Sequence, residues 1–286
     1  MKIINLDKLK KNSTEWIVGE LVNKLPEFFS SHSIQDVSKE FNVSPSTMTR
    51  VCKKLGFKSF KSIQMYVYEK SRLEIDYYKI ADSANIEQIV HNVKGNALFT
   101  INETLNNLII DKIEEIALKI YHSNKMIVFG MEQQETSAKA FVSNLLKIDI
   151  NATRVNNIHA LVQRTMFFNK DDFAVFITRT GWTKEVIEGI KWANNMNVPL
   201  LVLTTDEITT KKLIGGDEID WTDIHIIETQ TLKTPNINYP IISSLPGELI
   251  IFDVIFNAII SLKPESIDKI KKSNEISLNW NFEGHL

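Results

Sequence analysis

Almost wholly apolar runs recur through the second half of the chain: MIVF at 126–129, FAVFIT at 173–178 and LLVLT at 200–204. A strand with no polar face offers nothing to water, so both of its faces must be covered. Segments with helical spacing lie between the runs, one over about 135–147 and one from TGWT (180–183) through Trp192. IHII at 224–227 reads as a fourth strand, and ATRV at 152–155 is a candidate fifth. This alternation predicts an α/β domain with a parallel sheet between helical layers. Ligands in such sheets bind beyond the carboxyl ends of the strands. Those ends are GMEQQ at 130–134, TRTGWT at 178–183 and TTD at 204–206.

The first half has a different grammar. Ser13 or Thr14 caps a helix running to Leu25, where Pro26 breaks it, and Phe28 and Phe29 follow as an apolar clump. Ser33 caps a second helix with Ile34, Val37 and Phe41 on one face, and Asp36 completes a weak capping box. Asn42-Val43 forms a tight turn. Ser44 then caps a third helix with Pro45 in its first position and Met48, Val51, Cys52 and Leu55 on its apolar face. Gly56 ends it in a left-handed cap. Two short helices joined this way predict a helix-turn-helix. The second exposes Ser46, Thr47, Thr49, Arg50, Lys53 and Lys54, hydroxyls near its start and cations further on, which suits base edges and then phosphates.

Charge supports that division. Residues 1–80 hold 14 Lys and Arg against 9 Asp and Glu, and the rest holds 19 against 26. No acidic residue falls in 41–68, which contains Arg50, Lys53, Lys54, Lys58 and Lys61. A basic module on an acidic body predicts that the small part meets a polyanion. Residues 68–119 read as helical, with 82–85 (DSAN) as a linker.

Other chemistry is sparse. The one cysteine, Cys52, cannot form an internal disulfide and reads as a small buried hydrophobe in a cytoplasmic chain. The six histidines show no metal-ligand spacing, and no dinucleotide or Walker fingerprint is present, so no metal or cofactor is expected. The start of the chain lacks the apolar run of a signal peptide, and Leu245–Leu262 carries Glu248, Asp253 and Asn257, as a buried helix and not a membrane span would. Thr178, Thr180, Gly181 and Thr183 join a strand to a helix. They suit an anion cradle, and capping of the helix by Thr180 or Thr183 is the simpler alternative. Glu248 opens or caps the helix from Pro246, where it can also accept sugar hydroxyls.

The segment VSPSTMTRVCKKLGFKSF closely resembles the helix-turn-helix of RpiR/MurR-type regulators through Ser44, Thr47, Arg50, Cys52 and Leu55-Gly56-Phe57, extending from Trp16 to about Tyr68. From about Ile113 to Leu262 the chain is similar to a sugar isomerase (SIS) domain. TRTGWTKE matches that family's phosphate loop at Thr178, Thr180, Gly181, Thr183 and Glu185, and ELIIFDVIFNAI matches its last helix, with Asp253 in place. The resemblance implies a flavodoxin-like three-layer α/β/α fold that dimerises and binds phosphosugars. The first loop departs from the family's Gly-x-Gly-x-Ser, with Glu132 in place of the second glycine and Gln134 in place of the serine. A carboxylate there repels phosphate, so a non-phosphorylated or amino-sugar ligand, or a vestigial site, stays open.

The expected organisation is a helix-turn-helix domain over 1–77, a helical linker over 78–110, the SIS-like domain over 111–270 and a tail over 271–286. The expected activity is a non-enzymatic transcription regulator, a repressor of sugar or amino-sugar metabolism. Its partners are double-stranded DNA with a palindromic operator, a sugar-phosphate-like effector, and further copies of itself as a dimer or tetramer, with no membrane. DNA contacts fall to Ser44, Ser46, Thr47, Thr49, Arg50, Lys53, Lys54 and Lys58, and ligand contacts to Gln133, Gln134, Thr178, Thr180, Gly181, Thr183 and Glu248. The alternatives are a sugar-phosphate isomerase and a regulator whose SIS domain only dimerises.

Overall fold

The computed structural model describes residues 3–4, 6, 9–78, 85–216, 219–232 and 243–282. They form two compact units, one built on residues up to Asn96 together with Leu232, and the other on Ala97–Thr231 and the described residues after 242.

The first unit is helical. Helix α1 (Thr14–Lys24) is capped by Ser13, which accepts from the Trp16 amide. Pro26 is the first residue of α2 (Pro26–Ser31), so it starts a helix as well as ending one. The apolar clump is part of that helix, and its Phe29 is fully buried. Helices α3 (Ile34–Glu40) and α4 (Pro45–Lys54) are capped by Ser33 and Ser44, as the sequence predicts. Asn42 supplies the turn with φ 52°, and Gly56, at φ 89°, takes the conformation that stops α4. Helix α5 (Phe60–Tyr78) follows. The core joins Val18, Val22, Phe29, Val37, Phe41, Met48, Val51, Cys52, Ile63 and Val67. Buried Gln64 donates to the carbonyls of Phe29 (3.0 Å) and His32 (2.6 Å), fastening α5 to the end of α2.

Of the linker expected at 82–85, residues 82–84 lie outside the described residues, and Asn85 caps α6 (Ile86–Asn106) by accepting from the Gln88 amide. The second unit then runs through α7 (Ile110–His122), β1 (Met126–Gly130), α8 (Gln134–Leu146), β2 (Ala152–Val155), α9 (Ile158–Thr165), β3 (Phe173–Thr178), α10 (Lys184–Asn195), β4 (Leu200–Thr204), α11 (Glu207–Ile214), β5 (Ile224–Glu228), α12 (Leu245–Leu262) and α13 (Ser266–Phe282). The segment expected as a tail is thus helical to Phe282.

All five strands pair in parallel in the order β2-β1-β3-β4-β5. This is the doubly wound order whose direction of winding reverses between β1 and β3. Alternate strand residues serve opposite layers. Val128, Val175 and Leu201 meet α7, α8 and α12, whereas Phe129, Phe176 and Val202 meet α9, α10 and α11. Phe141 of α8 stacks on Phe252 of α12 with ring centroids 4.2 Å apart. Helix α12 is long and apolar enough to cross a membrane, yet Ile251, Phe252, Ile255 and Ile259 are buried in this core.

Candidate functional site

Helix α4 presents the predicted recognition surface. Ser44 Oγ accepts from the Thr47 amide (3.1 Å) and lies 2.8 Å from Ser46 Oγ and 2.9 Å from Thr47 Oγ1. Thr49 donates to the Pro45 carbonyl at 3.0 Å. These hydroxyls hold the first turn together, and Ser44 and Ser46 remain exposed. Arg50 and Lys53 are exposed one and two turns beyond Ser46, with Lys58 exposed past the helix end, and none of the three has an ion-pair partner among the described residues. Lys54 differs: its Nζ is bonded to Glu15 Oε1 of α1 at 2.6 Å. The Cys52 thiol faces the core, and burial pushes its pKa up to about 11, so it carries no thiolate at neutral pH.

In the second unit two loops leave adjacent strand ends at the winding reversal, since Gly130 of β1 is in register with Ile177 of β3. The loop after β3 is built from hydroxyls. Thr178 Oγ1 accepts from the Gly181 amide (3.1 Å), and Thr180 Oγ1 accepts from the Trp182 amide (3.3 Å). Gly181 has φ 72°, and a Cβ there would lie 2.3 Å from Thr210 Oγ1 of α11. That hydroxyl is itself committed, to Thr204 Oγ1 at 2.9 Å and the Asp206 carbonyl at 2.7 Å. Thr205 clamps the loop from β4 through its amide and hydroxyl, both on the Arg179 carbonyl. Thr183 occupies the cap position of α10 without making a side-chain cap. Its hydroxyl and the Lys184 and Glu185 amides have no partner among the described residues. Neither hydroxyl therefore caps α10. Thr180 serves the turn before it, and the positive end of the helix dipole stays open to an anion.

The loop after β1 closes on a buried carboxylate. Glu248 of α12, 1% exposed, accepts from Ser137 Oγ and Ser244 Oγ, each at 2.6 Å, and from Gln134 Nε2 at 3.4 Å. Gln134 Nε2 also reaches Ser244 Oγ at 3.5 Å. Gln134 and Glu248, 114 residues apart, thus share one network. Ser137 and Ser244, which sequence reasoning left out, complete it. Their signal was i, i+3 spacing from Gln134 and a serine four residues before Glu248. The Gln133 side chain is exposed and makes no hydrogen bond among the described residues, although its carbonyl accepts from the Thr136 amide at 3.1 Å, and Glu132 holds φ 53° where the family has glycine. The α12 start packs tightly on α6: a Cβ on Gly247 would lie 3.0 Å from Thr100 Cγ2 and 3.1 Å from Thr104 Oγ1.

No group of three or more His, Cys, Asp or Glu able to hold a metal occurs among the described residues. His225 of β5 is buried and faces Glu115 of α7 at 3.5 Å, and burial holds its pKa below the ordinary imidazole value.

Known proteins show the same two-part plan. The rpiR-family helix-turn-helix domain matches residues 2–72 and the SIS domain matches residues 119–258. An uncharacterized HTH-type transcriptional regulator of Clostridium perfringens is 22% identical over 95% of this chain and 94% of its own length. Another from Thermotoga maritima is 24% identical over 90% of each chain. Among solved structures, the Vibrio vulnificus NanR protein complexed with ManNAc-6P aligns with a TM-score of 0.58 at 16% identity, over 96% of this chain and 95% of its own. The sugar isomerase domain of the RpiR transcription factor from Sphaerobacter thermophilus aligns at 0.55 and 17% identity, over 66% of this chain and 99% of that one. The two domain matches, in the order the fold displays them, make the chain a transcriptional regulator of the RpiR family that carries a SIS domain.

Proposed function

We propose that the chain is a sequence-specific repressor of genes for sugar or amino-sugar metabolism, acting on cytoplasmic DNA and controlled by a phosphorylated sugar bound in its SIS unit. The observation that carries this reading is the β3–α10 loop. Free amides and the Thr183 hydroxyl sit at a helix N-terminus, beside a turn fixed by Thr178, Thr180 and Gly181. Such a group binds phosphate oxygens without reorganising. The NanR structure, whose ligand is ManNAc-6P, supports the same ligand class for this fold.

Glu248, with Gln134, then accepts from sugar hydroxyls. Its partners among the described residues are two serine hydroxyls and an amide. No second titratable side chain joins this network among the described residues, which favours a binding site over an isomerase's acid–base pair. Two copies of the chain, paired through their SIS units, present two α4 helices to a palindromic operator. Ser46 and Arg50 face base edges, while Lys53 and Lys58 face phosphates. The effector acts through different affinities for the arrangements that do and do not fit DNA.

The test is a thermal scan of the full chain against sugars and sugar phosphates. A ligand at about a hundredfold over its dissociation constant adds roughly 2.7 kcal/mol, a rise of several degrees. Turnover of an aldose or ketose phosphate would overturn the non-enzymatic reading. A flat scan at millimolar ligand would leave a SIS unit that only pairs chains.

A further inference from the structure

We infer that Glu15 limits the strength and salt dependence of DNA binding: it neutralises Lys54 in place, so the recognition helix meets phosphate through fewer charges than its sequence suggests. The run 41–68 contains no acidic residue of its own, yet a carboxylate from 39 positions away lies 2.6 Å from the Lys54 ammonium. Glu15 sits in the first turn of α1, where the helix dipole favours an anion, and Lys54 in the last turn of α4, where it favours a cation. The Glu15 side chain is only 12% exposed, whereas that of Lys54 is 59% exposed. The carboxylate is therefore the fixed partner. Its own backbone N–H, the Ser13 hydroxyl and, above all, Lys54 hold its pKa below the usual range, so it stays charged wherever the protein is folded near neutral pH.

An exposed ion pair of this kind adds little to stability. Its consequence lies in binding. Each lysine that neutralises a phosphate releases counterions and adds about 0.9 to the slope of log affinity against log salt, whatever the DNA sequence. A paired Lys54 brings no net charge, and moving it to a phosphate would leave the Glu15 anion beside the same backbone. Glu15 thus lowers the sequence-independent part of binding, to operator and bulk DNA alike, and leaves the part read by Arg50 and its neighbours untouched.

The inference rests on DNA binding by α4, and the experiment keeps the two separable. The full-length wild type, Glu15→Gln, Lys54→Gln and the double variant are titrated into a labelled duplex of arbitrary sequence across about 50–200 mM KCl, the range over which such slopes are measured. Circular dichroism melting checks that each variant folds. Glu15→Gln should steepen the slope by about 0.9 and tighten binding roughly five- to tenfold near 0.1 M salt. Lys54→Gln and the double variant should keep the wild-type slope. A Lys54→Gln slope shallower by about 0.9 would show that Lys54 already meets phosphate, and would overturn the inference. An equal gain for Glu15→Gln and the double variant would overturn it too, since the effect would then not pass through Lys54. Wild-type protein with no salt-dependent binding would remove the DNA reading itself, and this inference with it.

Discussion

Replacing Gly181 by alanine should disable the loop after β3, by an amount that follows from two observations. The residue stands at φ 72°, a conformation that costs an L-residue about 1–2 kcal/mol. The new Cβ would also lie 2.3 Å from Thr210 Oγ1, too close to hold without movement. Thr210 is fully buried, with its hydroxyl bonded to Thr204 Oγ1 and to the Asp206 carbonyl. Pushing it aside strands buried polar groups, at about 1–3 kcal/mol. The sum is about 2–5 kcal/mol. Because the chain has two units, differential scanning calorimetry is the suitable assay, with the SIS-unit transition followed separately from that of the helical unit. Thr210→Ala deletes the clashing hydroxyl and with it the same two bonds, so the double variant should stay about 2–5 kcal/mol below wild type, with the costs of the two changes not adding. A single variant within about 0.5 kcal/mol of wild type, the range of an ordinary surface change, would refute the reasoning.

Three further outcomes follow. Gln64→Leu removes the donor to the buried Phe29 carbonyl and the partly buried His32 carbonyl and should destabilise the helical unit by about 1–3 kcal/mol in calorimetry, without moving the SIS-unit transition. Arg50→Ala should abolish preference for the operator over bulk DNA in competition titrations, whereas Lys53→Ala should weaken both alike and lower the salt slope by about 0.9. Cys52, buried with its thiol near 11, should resist a maleimide at pH 7.5 in native protein and react when the helical unit melts, and rapid native labelling would contradict its placement in the core.

The features legible in the sequence were the local ones. Ser33, Ser44-Pro45 and Gly56 announce where α3 and α4 begin and end because capping is settled within four residues. The all-apolar strands announce a covered parallel sheet because no other placement hides both faces. Pro26 was harder, since proline both ends a helix and starts the next, and only the burial of Phe29 against its neighbours shows α2. Links formed by tertiary packing were not legible. The Ser137 and Ser244 bonds to Glu248 and the Glu15–Lys54 pair depend on which helix ends meet. At the start of α10, Thr183 looks like a cap by position, yet Thr180 is turned toward Trp182 and Thr183 makes no cap bond. That distinction decides whether the helix end is free for a ligand.

The N-terminus of α10 is proposed to hold the phosphate of a phosphorylated sugar. Isothermal titration calorimetry of the full chain with ManNAc-6P and a panel of hexose and hexosamine phosphates, each beside its unphosphorylated sugar, tests it most directly. At least one phosphorylated member should bind, its unphosphorylated counterpart should bind at least tenfold more weakly, by about 1.4 kcal/mol, and Gly181→Ala should abolish the heat. Equal binding of a sugar with and without its phosphate, or binding untouched by Gly181→Ala, would contradict it.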